Sequence, residues 1–287
     1  MKFLGTSAAD LCPAPLCHCD ICEEARKNPE LMRFRSMFLL DEKNLIDCGP
    51  DFGAALMRFN IDVTELDNVF ITHTHADHFD VTNATFIRMS VTRNFRPVDV
   101  WLSEQGYAQV MSVIERSHDL ICHTDAMKAY DNGYVRLHSI PVGKPVSVGG
   151  YEVLAVHSAH KVSERETAVN YLFKKDGKSL LYCLDTPLYA DHSPESLEML
   201  KGAAVDTLIM EGTYGSRFDR SLLQHLNGKT FIRQLDDFRD YGIIRPGTKI
   251  YCTHLTHNQA WNHAAYQKYL DENCSYGVTV ALDGMEV

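Results

Sequence analysis

The chain has 287 residues, 45% of them hydrophobic, with 38 acidic against 28 basic side chains and a net charge of -10. That is enough apolar material for one large core, expected as a single domain over residues 1–287, and the acidic balance argues against a surface built for polyanions. No apolar run approaches the roughly 18 residues needed to cross a bilayer, and the first ten residues lack the charged start and apolar stretch of a secretion signal, so a cytoplasmic protein is expected.

Residues 1–4 form a strand candidate, and Gly5-Thr6-Ser7-Ala8-Ala9 is a small-residue turn able to approach a ligand closely. Pro13 and Pro15 exclude a regular helix, so Cys17, Cys19 and Cys22 sit on a rigid loop, within a zinc-binding segment 12–27 whose end, 22–27, reads as helix. Such clustering in a cytoplasmic chain points to a metal rather than to disulfides. Three thiolates fall one short of a closed zinc site; Cys12, His18 or a distant histidine can supply the fourth ligand, and the alternative is a set of free thiols. Cys48, Cys183 and Cys252 end apolar runs and read as small buried side chains.

A β-hairpin is expected over 36–46 and a helix over 51–59. Asp47, after the second strand, is costly to bury unless hydrogen-bonded; it either orients a polar group or is a plain turn aspartate. The densest run of metal-binding groups follows the strand 69–71: Thr72-His73-Thr74-His75-Ala76-Asp77-His78. In an extended segment alternate residues point the same way, so His73 and His75 can present two imidazoles to one ion. Asp77 and His78 then face a second as the chain turns. Neutral imidazole and carboxylate are the usual ligands of catalytic zinc, manganese or iron.

Further along, helix is expected over 81–90, in a region where Arg88, Arg93 and Arg96 cluster, and over 104–116 with Val110, Val113 and Ile114 on its apolar face. His118, His123 and His138 read as surface histidines. Strands are expected over 135–140, 145–148 and 151–156, the last running out into His157-Ser158-Ala159-His160. A hairpin turns at Asp176-Gly177 and ends in Asp185. Ser193 caps a helix 193–201 with Pro194 at its first position. A strand 207–210 ends in Glu211, His225 precedes a helix 229–241, and a strand 249–252 delivers Thr253-His254-Leu255-Thr256-His257. A helix 260–270 and a strand 277–283 close the chain. Sorted by chemistry, His73, His75 and His160 (or His157 in its place) suit one ion, while Asp77, His78 and His254 suit a second. Asp185 has two oxygens and can bridge, leaving room for a bridging hydroxide.

The run 72–78, followed at long intervals by a histidine, a strand-end aspartate and a Thr-His pair, resembles the metallo-β-lactamase superfamily over nearly the whole chain. Asp47 in Leu45-Ile46-Asp47-Cys48-Gly49 matches that family's structural aspartate beneath the metal loop. The resemblance implies an α/β fold, an αββα sandwich with metals at one edge. Cys17-x-Cys19-x-x-Cys22 together with Thr253-His254-Leu255-Thr256-His257 narrows it to the branch of the PhnP-like phosphodiesterases and PqqB. What that branch implies is His254 in the dinuclear site and His257 completing a structural Cys3His zinc with Cys17, Cys19 and Cys22. It favours His160 over His157. It also matches His225, in Gln224-His225-Leu226-Asn227, to a histidine near the substrate phosphate, as contact or general acid.

The implied protein is a dinuclear metal hydrolase, a phosphodiesterase for cyclic phosphates or small phosphodiesters, with Asp77 and His225 as its catalytic side chains. Its cofactors are two catalytic divalent metals, zinc or manganese with iron as a further option, and one structural zinc. The expected partner is a small phosphorylated substrate, with no membrane, and a homodimer is allowed. Nucleic acid is disfavoured by the acidic balance and the lack of a long basic insertion. The rivals are a PqqB-like enzyme of redox or ring chemistry, and a thioester, lactone or β-lactam hydrolase. A metal-stabilised binding module ranks last, because no ligand is missing. The loop 5–10 has fewer glycines than the family's usual one, Cys12 is an extra thiol, and Arg88, Arg93 and Arg96 fall where the family varies with substrate.

Overall fold

A computed structural model of the chain describes residues 1–81, 96–117, 130–131, 133–216, 224–258 and 261–287. The first sheet runs in sequence order: β1 (Lys2–Gly5), β2 (Met37–Asp41), β3 (Asn44–Ile46), β4 (Asn68–Phe70), β5 (Val98–Ser103) and β6 (Val135–Ile140). The second holds β7 (Val146–Val148), β8 (Tyr151–Ser163), β9 (Glu166–Lys175), β10 (Lys178–Cys183), β11 (Val205–Glu211), β12 (Ile244–Thr253) and β13 (Val278–Val280), each beside the next. The described helices are α1 (Asp20–Lys27), α2 (Phe52–Phe59), α3 (Glu104–Ser117), α4 (Tyr189–His192), α5 (Pro194–Leu200), α6 (Gly228–Asp240) and α7 (His263–Asn273).

Strand side chains alternate between faces, and here both faces are apolar. Phe3, Phe38, Ile46 and Phe70 of the first sheet meet Tyr171, Phe173, Tyr182 and Ile209 of the second in a central layer. Their neighbours Leu4, Met37, Leu45 and Val69 point the other way, where Phe52 and Ala55 of α2 and Val110 and Ile114 of α3 cover them. On the far side Leu181, Cys183, Leu208 and Met210 pack beneath Leu197, Phe231, Leu235 and Phe238. Two sheets with three apolar layers and helices outside make the αββα sandwich.

Several boundaries differ from expectation. β8 does not run out at 156 but continues to Ser163, with its register on β9 broken between His157 and Lys161 and Ala159 at φ 67°. Val113 is 43% exposed, whereas Val110 and Ile114 are buried, because the α3 stripe is narrower than its apolar content. Ser193 stands at the N-cap of α5, but its hydroxyl donates to His157 O instead of capping. α7 starts at His263, because Asn262 Oδ1 accepts from Ala265 N–H. The last strand is short, as the residues after it return to pair with β1 through Phe3 N–H to Met285 O. Residues 82–90 of the helix expected over 81–90, Arg88 among them, lie outside the described residues, as do Arg93, His118 and His123. Arg96 pairs with Glu65 and Asp67. His138 stacks on Trp101 and pairs with Asp99.

Parallel pairing of β3 with β4, and of β10, β11 and β12, brings their carboxyl ends to one edge of the sandwich. Three residues just beyond these ends, Asp47, Asp185 and His254, have φ of 59°, 48° and 59°. That left-handed geometry is costly for residues other than glycine, and it turns the side chains abruptly into the space beyond the sheet.

Candidate metal centre

The loop after β4 is held from several sides. Asp47 is fully buried; it accepts from Thr72 N–H at 2.8 Å and lies 2.8 Å from His78 Nδ1. It therefore orients a polar group, leaving His78 Nε2 to face outward. Cys48 N–H donates to His78 O, and Gly49 lies so close to Asp77 O that a Cβ would fall 2.2 Å from it. Thr74 donates both its N–H and its hydroxyl to the buried Glu166 at the start of β9.

The expected ligands converge on this edge. His73 Nε2 is 3.0 Å from His75 Nδ1, which is also 3.4 Å from His160 Nε2. His78 Nε2 is 3.2 Å from His254 Nε2, 3.3 Å from Asp77 Oδ2 and 2.9 Å from Asp185 Oδ2. Asp185 Oδ2 is 3.2 Å from His254 Nε2, while its Oδ1 faces His73 and His160 at 4.0 and 3.8 Å. His157 takes no part. The break in β8 turns His160 inward, while His157, Lys161 and Ser163 line a separate hollow of about 490 Å³.

These spacings suit metal ions. A tetrahedral zinc with ligands at ~2.0–2.1 Å holds its nitrogens about 3.3 Å apart, as in both clusters. One N–H can bridge two ring nitrogens but cannot serve three mutually close ones. Asp185 Oδ2 is buried and meets no donor along a hydrogen-bonding direction despite its short contacts, as a ligand oxygen aimed at a cation would. Burial, aided by the charge on His78, holds His73 well below the usual histidine range, the neutral form a metal needs. Burial works the same way on His78 but is outweighed by Asp185, Asp77 and Asp47, which push it well above that range. Three carboxylates around one imidazole call for positive charge there, which a proton or a metal ion supplies. The loops provide acceptors for the remaining ring nitrogens: His160 Nδ1 lies 3.1 Å from Gln224 O, and His254 Nδ1 lies 2.8 Å from Thr213 Oγ1, whose own proton goes to Glu211.

Two further side chains complete the cleft, whose volume is about 310 Å³ and whose walls include His75, His160, His254, Tyr214 and Ala8. His225 lies with Nε2 3.8 Å from Asp185 Oδ1 and its ring 4.8 Å from that of His160, so it is no surface cap. Its Nδ1 is 2.9 Å from Glu211 Oε1. Burial opposes charge on His225, but Glu211, with Asp185 beyond, lifts its pKa to about 9. Glu211 is fully buried at the end of β11 and also accepts from Thr186 N–H, Leu226 N–H and the Thr213 hydroxyl. Nothing in the expected ligand pattern marks Glu211 or Glu166. Their signal is a carboxylate at the end or start of an apolar strand.

Away from the cleft, Cys17, Cys19, Cys22 and His257 bring their ligand atoms together. His257 Nδ1 is 3.6 and 3.5 Å from the sulfurs of Cys17 and Cys19. Zinc bonds of ~2.3 Å to sulfur and ~2.0–2.1 Å to nitrogen place those atoms about 3.5–3.6 Å apart. Cys12 is buried nearby, and burial pushes its thiol up to about 11.

Residues 43–254 match the family model described as the beta-lactamase superfamily domain. The chain belongs to the metallo-β-lactamase superfamily. Among its relatives is a ribonuclease Z of Archaeoglobus fulgidus, 27% identical over 123 residues; the match takes in 42% of this chain and 36% of that protein's length. The fold is shared across the superfamily with Zn2+-bound PqqB from Methylobacterium extorquens, at a TM-score of 0.73 and 20% identity over 99% of this chain and 98% of that one. It is shared too with a diphosphatase from the PhnP family, at 0.71 and 19% identity over 100% and 96%. Superfamily membership makes this a hydrolase-type scaffold, and no described helix is long and apolar enough to cross a membrane.

Proposed function

We propose that this protein hydrolyses small phosphodiesters with two divalent cations held at the sheet edge. The observation that carries the reading is the union, in one cleft, of the split histidine–aspartate cluster with a histidine anchored on a buried glutamate. His73, His75 and His160 would hold one ion, Asp77, His78 and His254 the other, and Asp185 both; Cys17, Cys19, Cys22 and His257 would hold a structural zinc. Bound there, the two catalytic ions supply a water nucleophile active near neutral pH and positive charge for the phosphate oxygens.

The chain's own groups do the rest. Although burial opposes its charge, His78 and His254 keep Asp77 well below the usual carboxylate range, so it stays an anionic ligand. Asp47 and Thr213 fix the outward nitrogens of His78 and His254 before substrate arrives. Glu211 grips His225 Nδ1, so Nε2 presents its proton to the cleft, where a departing alkoxide can take it. Two relatives bear names, ribonuclease and diphosphatase, that denote cleavage at phosphorus, in keeping with this reading. The small cleft and the net charge of -10 favour a small diester over a nucleic acid.

The test is hydrolysis of bis(p-nitrophenyl) phosphate in zinc or manganese, beside nitrocefin and a glutathione thioester. Asp77→Ala should lose at least about 10³-fold in kcat, since a cation contributes several kcal/mol to the transition state. An Asp77→Ala protein as active as wild type, or a wild type that prefers the thioester or β-lactam, would sink the proposal.

A further inference from the structure

One carboxylate joins the two donor clusters. Asp10 Oδ2 lies 2.9 Å from His257 Nε2 and accepts from the Thr256 hydroxyl at 2.7 Å. Because His257 Nδ1 faces the sulfurs, Nε2 is the ring nitrogen left to orient it, and a carboxylate there fixes the tautomer and makes the imidazole a better ligand. This is no exposed ion pair of small consequence, because the side chains of His257 and Asp10 are 12% and 32% exposed.

Asp10 also belongs to the cleft wall, with Ala8 and Ala9. Its segment is zipped to the loop 254–257: Leu255 N–H donates to Thr6 O, Ala8 N–H donates to Leu255 O, and the Ser7 hydroxyl donates to Asp10 O. Thr256 N–H donates to Thr213 O, and the Thr213 hydroxyl meets His254 Nδ1. His257 on the cysteine side and His254 on the cleft side are thus linked by a hydrogen-bonded path besides the covalent one.

We infer that Asp10 is the positioning residue that couples the cysteine–histidine site to the substrate cleft. It holds His257 toward the sulfurs and, through Thr256, fixes both the loop that carries His254 and the wall formed by Ala8 and Ala9. The inference rests on the zinc reading of Cys17, Cys19, Cys22 and His257.

Metal counting by mass spectrometry separates the two. Wild type should carry one ion more than Cys19→Ser; equal counts overturn the zinc reading and the coupling with it. Given that zinc, Asp10→Asn should release it to a chelator about 10–100-fold faster, the usual cost of losing a ligand's orienting partner. It should also raise KM for bis(p-nitrophenyl) phosphate about threefold or more with kcat nearly unchanged, a coupling of the size found between contacting residues. Thr256→Val removes the second partner alone, so it should raise KM and leave zinc release as in wild type. In the double variant of Asp10→Asn with Cys19→Ser, KM should rise by less than the product of the two single effects, because the zinc acts on the cleft through Asp10. Wild-type zinc release and KM in Asp10→Asn, or additive KM effects in the double variant, overturn the inference even when the zinc is present.

Discussion

Glu211 shows how much one buried carboxylate can organise. Thr186 follows Asp185, Thr213 meets His254, and His225 is the proposed proton donor; Glu211 accepts from or contacts all three. Glu211→Gln keeps the volume but replaces one acceptor oxygen with an N–H2 group facing donors. We expect kcat on the diester to fall about 10²-fold, the lower end of what a positioned proton donor contributes, with KM little changed. Steady-state kinetics with a thermal melt to confirm folding would decide it, and an undiminished kcat would reduce Glu211 to scaffold. Asp47, Asp185 and Glu211 look alike in the sequence, each an acid just past an apolar strand. Which of them faces a cation and which a cradle of N–H groups depends on loops that join only on folding, so Asp185 was legible as a ligand while Glu211 was not. The run His73 to His78 needs no such help, because its spacing within one loop already aims its groups at common points.

Among the elements, those with local causes were legible. The hairpin between β9 and β10 turns at Asp176 and Gly177, whose φ values of 51° and 73° are those a two-residue turn demands. A Cβ on Gly177 would meet nothing within 4 Å, so Gly177→Ala isolates the backbone cost. It should destabilise the protein by roughly 1 kcal/mol, the penalty of left-handed geometry for an alanine. Urea titration reads this directly, and equal midpoints would show that the turn relaxes. The break in β8 was not legible. Strict alternation would put His157 and His160 on opposite faces and leave the choice between them to chance. The register break and the positive φ of Ala159 decide it, and both answer to β9, the partner strand. Sequence spacing alone carries no trace of such a partner.

Segments near the two ends of the chain meet in the interior, and this long-range join was the least legible feature among the described residues. Arg33, fully buried, donates to Thr6 Oγ1 and Ala281 O, while the Thr6 hydroxyl donates to Asp283 Oδ1 and Phe34 N–H donates to Asp283 Oδ2. The groups facing the enclosed Asp283 side chain are thus Thr6, Phe34 N–H, Arg33 nearby and Arg58 at 3.8 Å. Burial outweighs these partners and raises the Asp283 pKa from 3.8 to about 6. A carboxyl raised on folding contributes its stability in full below its unfolded pKa and loses it as pH rises through the folded one. The stability of wild type relative to Asp283→Asn should therefore be greatest near pH 4, decline toward pH 6 and stay level above pH 7. Urea unfolding of both proteins, metal-loaded, at a series of pH values between 4.5 and 7.5 measures that difference. A difference that stayed constant would mean that Arg33 and Arg58 hold Asp283 ionised throughout, and the join between the termini would then be a buried ion pair instead of a protonated one.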